Sequence, residues 1–177
     1  MRLFIALDLP ADVRTALSAW ARQAAPPAVR CVAADKLHVT LAFLGSRTSE
    51  EATAAGALLP ALARPLEQLR TAGALWLPPR RPGVLTVALD AGGGLADLQG
   101  ELVAALASAI GFEPERRRFR PHVTVGRVTR GTRIDMPGEL EPAAPRLRFR
   151  APALSLYRSL SSPAGAGYER LAGVDLR

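Results

Sequence analysis

The 177-residue chain holds only two histidines, and each opens the same tripeptide: His38-Val39-Thr40 and His122-Val123-Thr124. With eleven valines and nine threonines available, chance would follow both histidines with Val-Thr about once in a hundred thousand sequences. The repetition extends upstream. Leu3-Phe4-Ile5-Ala6-Leu7-Asp8 and Leu85-Thr86-Val87-Ala88-Leu89-Asp90 agree at four of six positions, and both have the apolar, β-branched character of buried strands. A helical pattern follows each, over 12–24 and over 95–110. In the second, Leu98, Leu102, Ala105, Leu106 and Ala109 trace one apolar face. His38 then comes 30 residues after Asp8, and His122 comes 32 residues after Asp90. Strand, helix and motif strand therefore occur twice, which is the duplication of a whole unit.

The rest of the chain reads more coarsely. Residues 50–69 read as a helix broken or kinked by Pro60 and Pro65. A strand is expected over 72–77, and the proline-rich stretch 78–83 is the expected link between halves of about 1–78 and 83–177. Residues 147–156 read as one or two strands interrupted by Pro152. Residues 161–167 read as a turn between strands at 154–157 and 168–171. Strands and helices mix without the alternation of a doubly wound sheet. The expected fold is α+β, a single domain over 1–177 with antiparallel sheets in two pseudo-symmetric lobes.

Alternation along the two motif strands puts His38 with Thr40, and His122 with Thr124, on one face; Val39, Leu41, Val123 and Val125 fall on the other. If a pseudo-two-fold relates the lobes, two imidazoles and two hydroxyls meet one bound group. A phosphodiester suits that kit. In-line displacement at phosphorus needs a base beside the attacking oxygen and an acid beside the leaving oxygen, and histidine supplies both forms near neutrality. The threonine hydroxyls can donate to non-bridging oxygens. A metal centre fails on ligand count: there is no third histidine, no cysteine pair, and no carboxylate two residues from either His.

Composition adds limits. Hydrophobic residues make up 49% and charged residues 22%, ordinary for a globular chain. No segment reads as membrane-spanning, and the apolar run 3–7 ends at Asp8 and Pro10, too short for a signal-peptide core. The single cysteine, Cys31, reads as a small hydrophobe between Val29 and Val32, and a reducing cytoplasm is expected. The net charge is +7, carried by 22 arginines and one lysine. Forked guanidinium groups suit a polyanion; a GC-rich genome, with arginines solvated at the surface, is the competing account.

At these residues the chain resembles the two-histidine phosphoesterase superfamily, in particular its LigT-like RNA 2′,3′-cyclic phosphodiesterase branch, historically called 2′-5′ RNA ligases. The likeness lies in Arg2-Leu3-Phe4-Ile5-Ala6-Leu7-Asp8-Leu9-Pro10, in the nine residues from Leu37 to Gly45, in those from Phe119 to Arg127, and in Leu156-Tyr157-Arg158-Ser159 with Tyr168 and Leu171. The resemblance implies a bilobal fold of two antiparallel sheets with outer helices and a central cleft. It implies hydrolysis of 2′,3′-cyclic phosphate ends to 2′-phosphomonoesters, with no metal and no cofactor. His38 would be the proton donor and His122 the proton acceptor, with Thr40 and Thr124 on the phosphate. Arg127 matches a family arginine near the phosphate, a role that needs the strand to end or bulge at Gly126. Phe43 has two readings, a base-stacking ring or a core aromatic beside Leu41. The run Arg116-Arg117-Arg118-Phe119-Arg120 either steers RNA or is a solvated turn. The expected partner is RNA with cyclic phosphate ends, or a small cyclic nucleotide, acted on by a monomer with no membrane and no obligate protein partner. Alternatives from the same residues are a non-catalytic RNA-end binder, a 2′-5′ RNA ligase and a small cyclic-nucleotide phosphodiesterase.

Overall fold

The apolar run after Arg2 forms strand β1 (Arg2–Asp8), buried along nearly its whole length because structure covers both of its faces. Helix α1 (Ala11–Ala24) follows Pro10 and buries Val13, Leu17, Trp20 and Ala21, the spacing of a single helical face. Short β2 (Val29–Cys31) and a 3-10 turn at Ala34–Lys36 lead into β3 (His38–Ser46). The structure is a computed structural model and describes residues 1–79, 81–90, 92–115, 117–132, 134, 140–162 and 165–176.

The helix expected over 50–69 is two short ones, α2 (Ser49–Ala57) and α3 (Leu59–Leu62). Thr48 caps α2 reciprocally with Glu51, and Pro60 sits in the first turn of α3, the one place where its missing N–H costs nothing. Past Pro65 the chain is extended and becomes β4 (Leu69–Leu77), which pairs with β5 (Val84–Asp90). Residues 78–83, expected to link the halves, instead close this hairpin, with Gly83 N–H donating to Leu77 O at 2.9 Å. Helix α4 (Gly92–Ile110) buries Leu95, Leu98, Leu102 and Leu106. It stops at Gly111, whose φ of 60° turns the chain so that its N–H reaches Ala107 O. β6 (His122–Val128) carries the second motif. The segment 147–156 is two strands: β7 (Arg148–Phe149) pairs with β4, and β8 (Ala153–Ser162) pairs with β1 and with β9 (Gly165–Asp175). The expected turn at 161–167 is narrower than its serines and glycines suggest, because Ser161 pairs with Ala166 and Ser162 with Gly165.

All recorded pairings are antiparallel. Strand order is β7-β4-β5-β6-β3-β1-β8-β9, with β2 on β6. The two expected sheets are present as halves, β7-β4-β5-β6 and β3-β1-β8-β9, joined into one sheet by a single residue pair, Val39 with Val123. The helices cross over: α1 packs against β2 and β6, α4 against β3. One apolar core runs through both halves beneath them. Among the described residues no helix is long and apolar enough to cross a membrane.

Candidate active site

The pair that joins the halves is the middle of both motifs. Val39 and Val123 are fully buried on the helix side, so the residues flanking each of them face the opposite side. Antiparallel register about that pair sets His38 toward Thr124 and Thr40 toward His122. The four polar residues of the two motifs thus share one face around a local pseudo-two-fold.

Each motif strand then breaks its alternation in the same way. Thr40 pairs with Ala6 but Ala42 pairs with Ile5, leaving Leu41 as an extra residue. Thr124 pairs with Thr86 but Gly126 pairs with Leu85, leaving Val125 as the extra one. Leu41 and Ala42 are both buried, as are Val125 and Gly126. These bulges flip the parity, so Phe43 and Arg127 return to the histidine face. Phe43 is 46% exposed with the Arg2 guanidinium 5.5 Å from its ring centre, so it is no core aromatic. Gly126 has a packing reason for its size: a Cβ there would run into Val29 Cγ1 of β2.

Both imidazoles are anchored alike. His38 Nδ1–H donates to the Lys36 carbonyl at 2.8 Å, and His122 Nδ1–H donates to the Arg120 carbonyl at 2.8 Å. A carbonyl can only accept, so Nδ1 carries the hydrogen in each ring and Nε2 is left for proton exchange. In the first half the Thr40 hydroxyl lies 3.1 Å from His38 Nε2 and donates to it when the ring is neutral. Burial pulls His38 below its ordinary value of 6.5; the nearby charges of Arg127 and His122 add to this, while the Lys36 carbonyl and Asp8 oppose it.

The surroundings of the two rings differ. Asp8 lies across from His38 in the β1–β3 ladder, but Ala88 lies across from His122, and Asp90 pairs with Arg70. The two extra residues between Asp90 and His122 have become a two-residue change of register. Asp8 is held by Ser155 Oγ–H at 2.9 Å and by Tyr157 O–H at 2.7 Å, and Arg170 Nε–H donates to Ser155 at 2.9 Å. Burial, then the Asp8 carboxylate, push the Tyr157 hydroxyl up to about 12, so it remains a donor. Phe4 stacks on His38 at 4.8 Å with Tyr157 beyond it at 5.4 Å, while Tyr168 meets His38 edge-on at 5.3 Å. A cavity of about 90 Å³ opens beside this cluster, lined by Asp8, Arg14, Asp35, Lys36, Tyr157 and Tyr168 as well as His38; it does not reach His122. Asp8, Phe4, Tyr157 and Tyr168 were not among the expected site residues. The unequal spacing of 30 and 32 residues was the available signal for Asp8.

Three other expectations have definite positions. The Cys31 thiol points at the Ala21 carbonyl of α1, 3.4 Å away, on the face opposite the histidines. Arg117, Arg118 and Arg120 are exposed beside the second motif, while Arg116 lies outside the described residues. Among the described residues no three side chains of His, Cys, Asp or Glu converge on one point.

With this geometry in hand, known proteins give a consistent answer. Residues 6–163 match the model of the 2′-5′ RNA ligase superfamily. The chain belongs to this superfamily. As a member it is an enzyme, a two-histidine phosphoesterase of the cyclic phosphodiesterase type. An RNA 2′,3′-cyclic phosphodiesterase of Escherichia coli K12 is 33% identical over 135 residues, 70% of each chain. Among superfamily structures, TT0787 of Thermus thermophilus superposes with a TM-score of 0.80 at 30% identity, covering 100% of this chain and 98% of that one. Escherichia coli LigT complexed with 3′-AMP gives 0.76 at 31% identity over 99% and 97%. The α+β architecture of lobes, outer helices and curled antiparallel sheet is therefore that of the LigT-like proteins.

Proposed function

We propose that the chain hydrolyses RNA 2′,3′-cyclic phosphate ends to 2′-phosphomonoesters, without a metal, using His122 as base and His38 as acid. The observation that carries this is the joining of two Nδ1-anchored histidines and two threonines around Val39 and Val123. Water attacks phosphorus opposite the 3′-oxygen and His122 Nε2 takes its proton. The P–O3′ bond breaks while His38 Nε2–H passes a proton to the departing oxygen. One water is consumed, and the products are a 2′-phosphate and a free 3′-hydroxyl. Thr40 and Thr124 donate to the non-bridging oxygens, where transition-state charge gathers. Arg127 offers its guanidinium to the same group, and Phe43 offers a ring for a base to stack on.

The acid and base roles follow from the unequal surroundings. The Asp8 carboxylate across from His38 favours an imidazolium there, and Ala88 gives His122 no such support. A bound phosphate anion between the rings reinforces the bias, offsetting the depression that burial causes in the free site. Both halves of the site come from one chain, so a monomer suffices, and the unpaired Cys31 fits a cytoplasmic setting.

An RNA ending in a 2′,3′-cyclic phosphate, incubated in EDTA, tests the reading. The expected product is a 2′-phosphate, with a bell-shaped pH profile and about 10²–10⁴-fold losses for His38→Ala and for His122→Ala. A 3′-phosphate product would reverse the choice of leaving oxygen. Full activity in both variants, or a strict divalent-metal requirement, would overturn the mechanism.

A further inference from the structure

Strand β2 does more than cover Gly126. Its three residues pair with β6 as Val29 with Val128, Arg30 with Arg127, and Cys31 with Gly126. Val29 is buried and Cys31 points to α1, so Arg30 projects from the opposite face, where it is exposed. The Val125 bulge brings Arg127 to that same face. Two guanidinium groups therefore stand directly across from each other beside the histidines. Like charges in this relation destabilise a sheet. The ion pairs among the described residues lie elsewhere, at Arg47–Glu51, Arg64–Glu101 and Arg158–Glu169. No carboxylate there relieves the Arg30–Arg127 repulsion, whereas a phosphodiester placed between the two forks would.

The chemistry of the substrate says which phosphodiester. A 2′,3′-cyclic phosphate is the 3′ end of a chain, so the terminal ribose has only one other phosphate, the one on its 5′ side. Arg127 is three residues beyond Thr124, about 10 Å along the strand before the bulge shortens it, and a long arginine side chain covers that span. We infer that Arg30 and Arg127 form a second anion subsite that grips the internucleotide phosphate 5′ to the cyclic end. This rests on the proposed function above and sharpens it: the preferred substrate is an oligonucleotide, and a cyclic mononucleotide leaves the subsite empty. Arg30 is the specificity-determining member, since Arg127 also borders the reacting phosphate.

Two measurements on the full chain test the subsite. The first compares kcat/KM for adenosine 2′,3′-cyclic phosphate with that for the ApA dinucleotide bearing the same end. The dinucleotide should be favoured about tenfold, the effect of one charge-assisted contact. Arg30→Ala and Arg30→Gln should bring the ratio close to one, acting through KM. They should also lower the salt slope for the dinucleotide by about 0.7, the share of one single-strand phosphate contact. The second measures equilibrium binding of adenosine 2′-phosphate and of ApA carrying a 2′-phosphate, which reads the subsite even if no turnover occurs. Turnover of neither substrate, with binding still favouring the dinucleotide through Arg30, would sink the proposed function alone. Equal binding of both ligands, or a preference unchanged in both Arg30 variants, would overturn the subsite.

Discussion

Asp8 is where the two halves of the site part company. Its carboxylate lies in register with His38 and is tied to β8 through Ser155 and Tyr157. Its negative charge raises the His38 pKa against the pull of burial. Asp8→Asn removes that charge, so the His38 pKa falls further and less of the ring is protonated at neutral pH. The acid is then lost at lower pH: the high-pH limb of the kcat profile should move down the pH scale while the limb set by His122 stays. The rate at pH 7 should drop by about tenfold, short of the 10²–10⁴-fold expected for removing a histidine. An unmoved profile would deny Asp8 its part in setting the acid. The catalytic quartet itself was legible in the sequence, because two identical tripeptides in a chain with two histidines have few other uses. Asp8 was harder to see. Its counterpart Asp90 aligns with it in sequence, and only the register of the folded strands separates them.

At the scale of elements, the paired bulges carry the most meaning. Simple alternation would send Arg127 away from His122, and the condition for bringing it back, a bulge at Gly126, is met one residue wide at Val125. Consecutive apolar residues, Leu41-Ala42 and Val125-Gly126, were the visible trace of both bulges. The difference between Ala42 and Gly126 was not readable, because it depends on β2 lying over β6 while β3 has no such cover among its recorded partners. Gly126→Ala should force Val29 outward and cost about 1–3 kcal/mol, the range for overpacking a filled site, measured as a fall in urea midpoint. Ala42→Gly lacks that clash and should not show a loss of this origin. The long helix read over 50–69 and the wide turn over 161–167 were misjudged for a common reason. Composition described the local preferences well enough, but partner strands override local preference: β4 is drawn out by β5 and β7, and 165–167 by β8.

Across the whole molecule the two sequence repeats do not keep to themselves. β4, which ends the first half of the sequence, hydrogen-bonds with β5 of the second; β8 and β9, at the end of the second, return to β1 of the first. The helices cross in the same sense. The site therefore sits at a seam where each side is built from both ends of the chain. A repeat in sequence cannot reveal this, because exchanged and unexchanged arrangements bury the same apolar faces.

That exchange makes the chain behave as an intertwined pair of half-proteins. Cutting within 78–83 would give two fragments with one histidine apiece, and each would present edges that only the other fragment's strands can cover. Neither should hydrolyse a cyclic phosphate alone, since neither holds both an acid and a base. Mixed in equal amounts after co-refolding, they should recover activity and co-elute as one heterodimer on size-exclusion chromatography. Activity in either isolated fragment would contradict the shared make-up of the site.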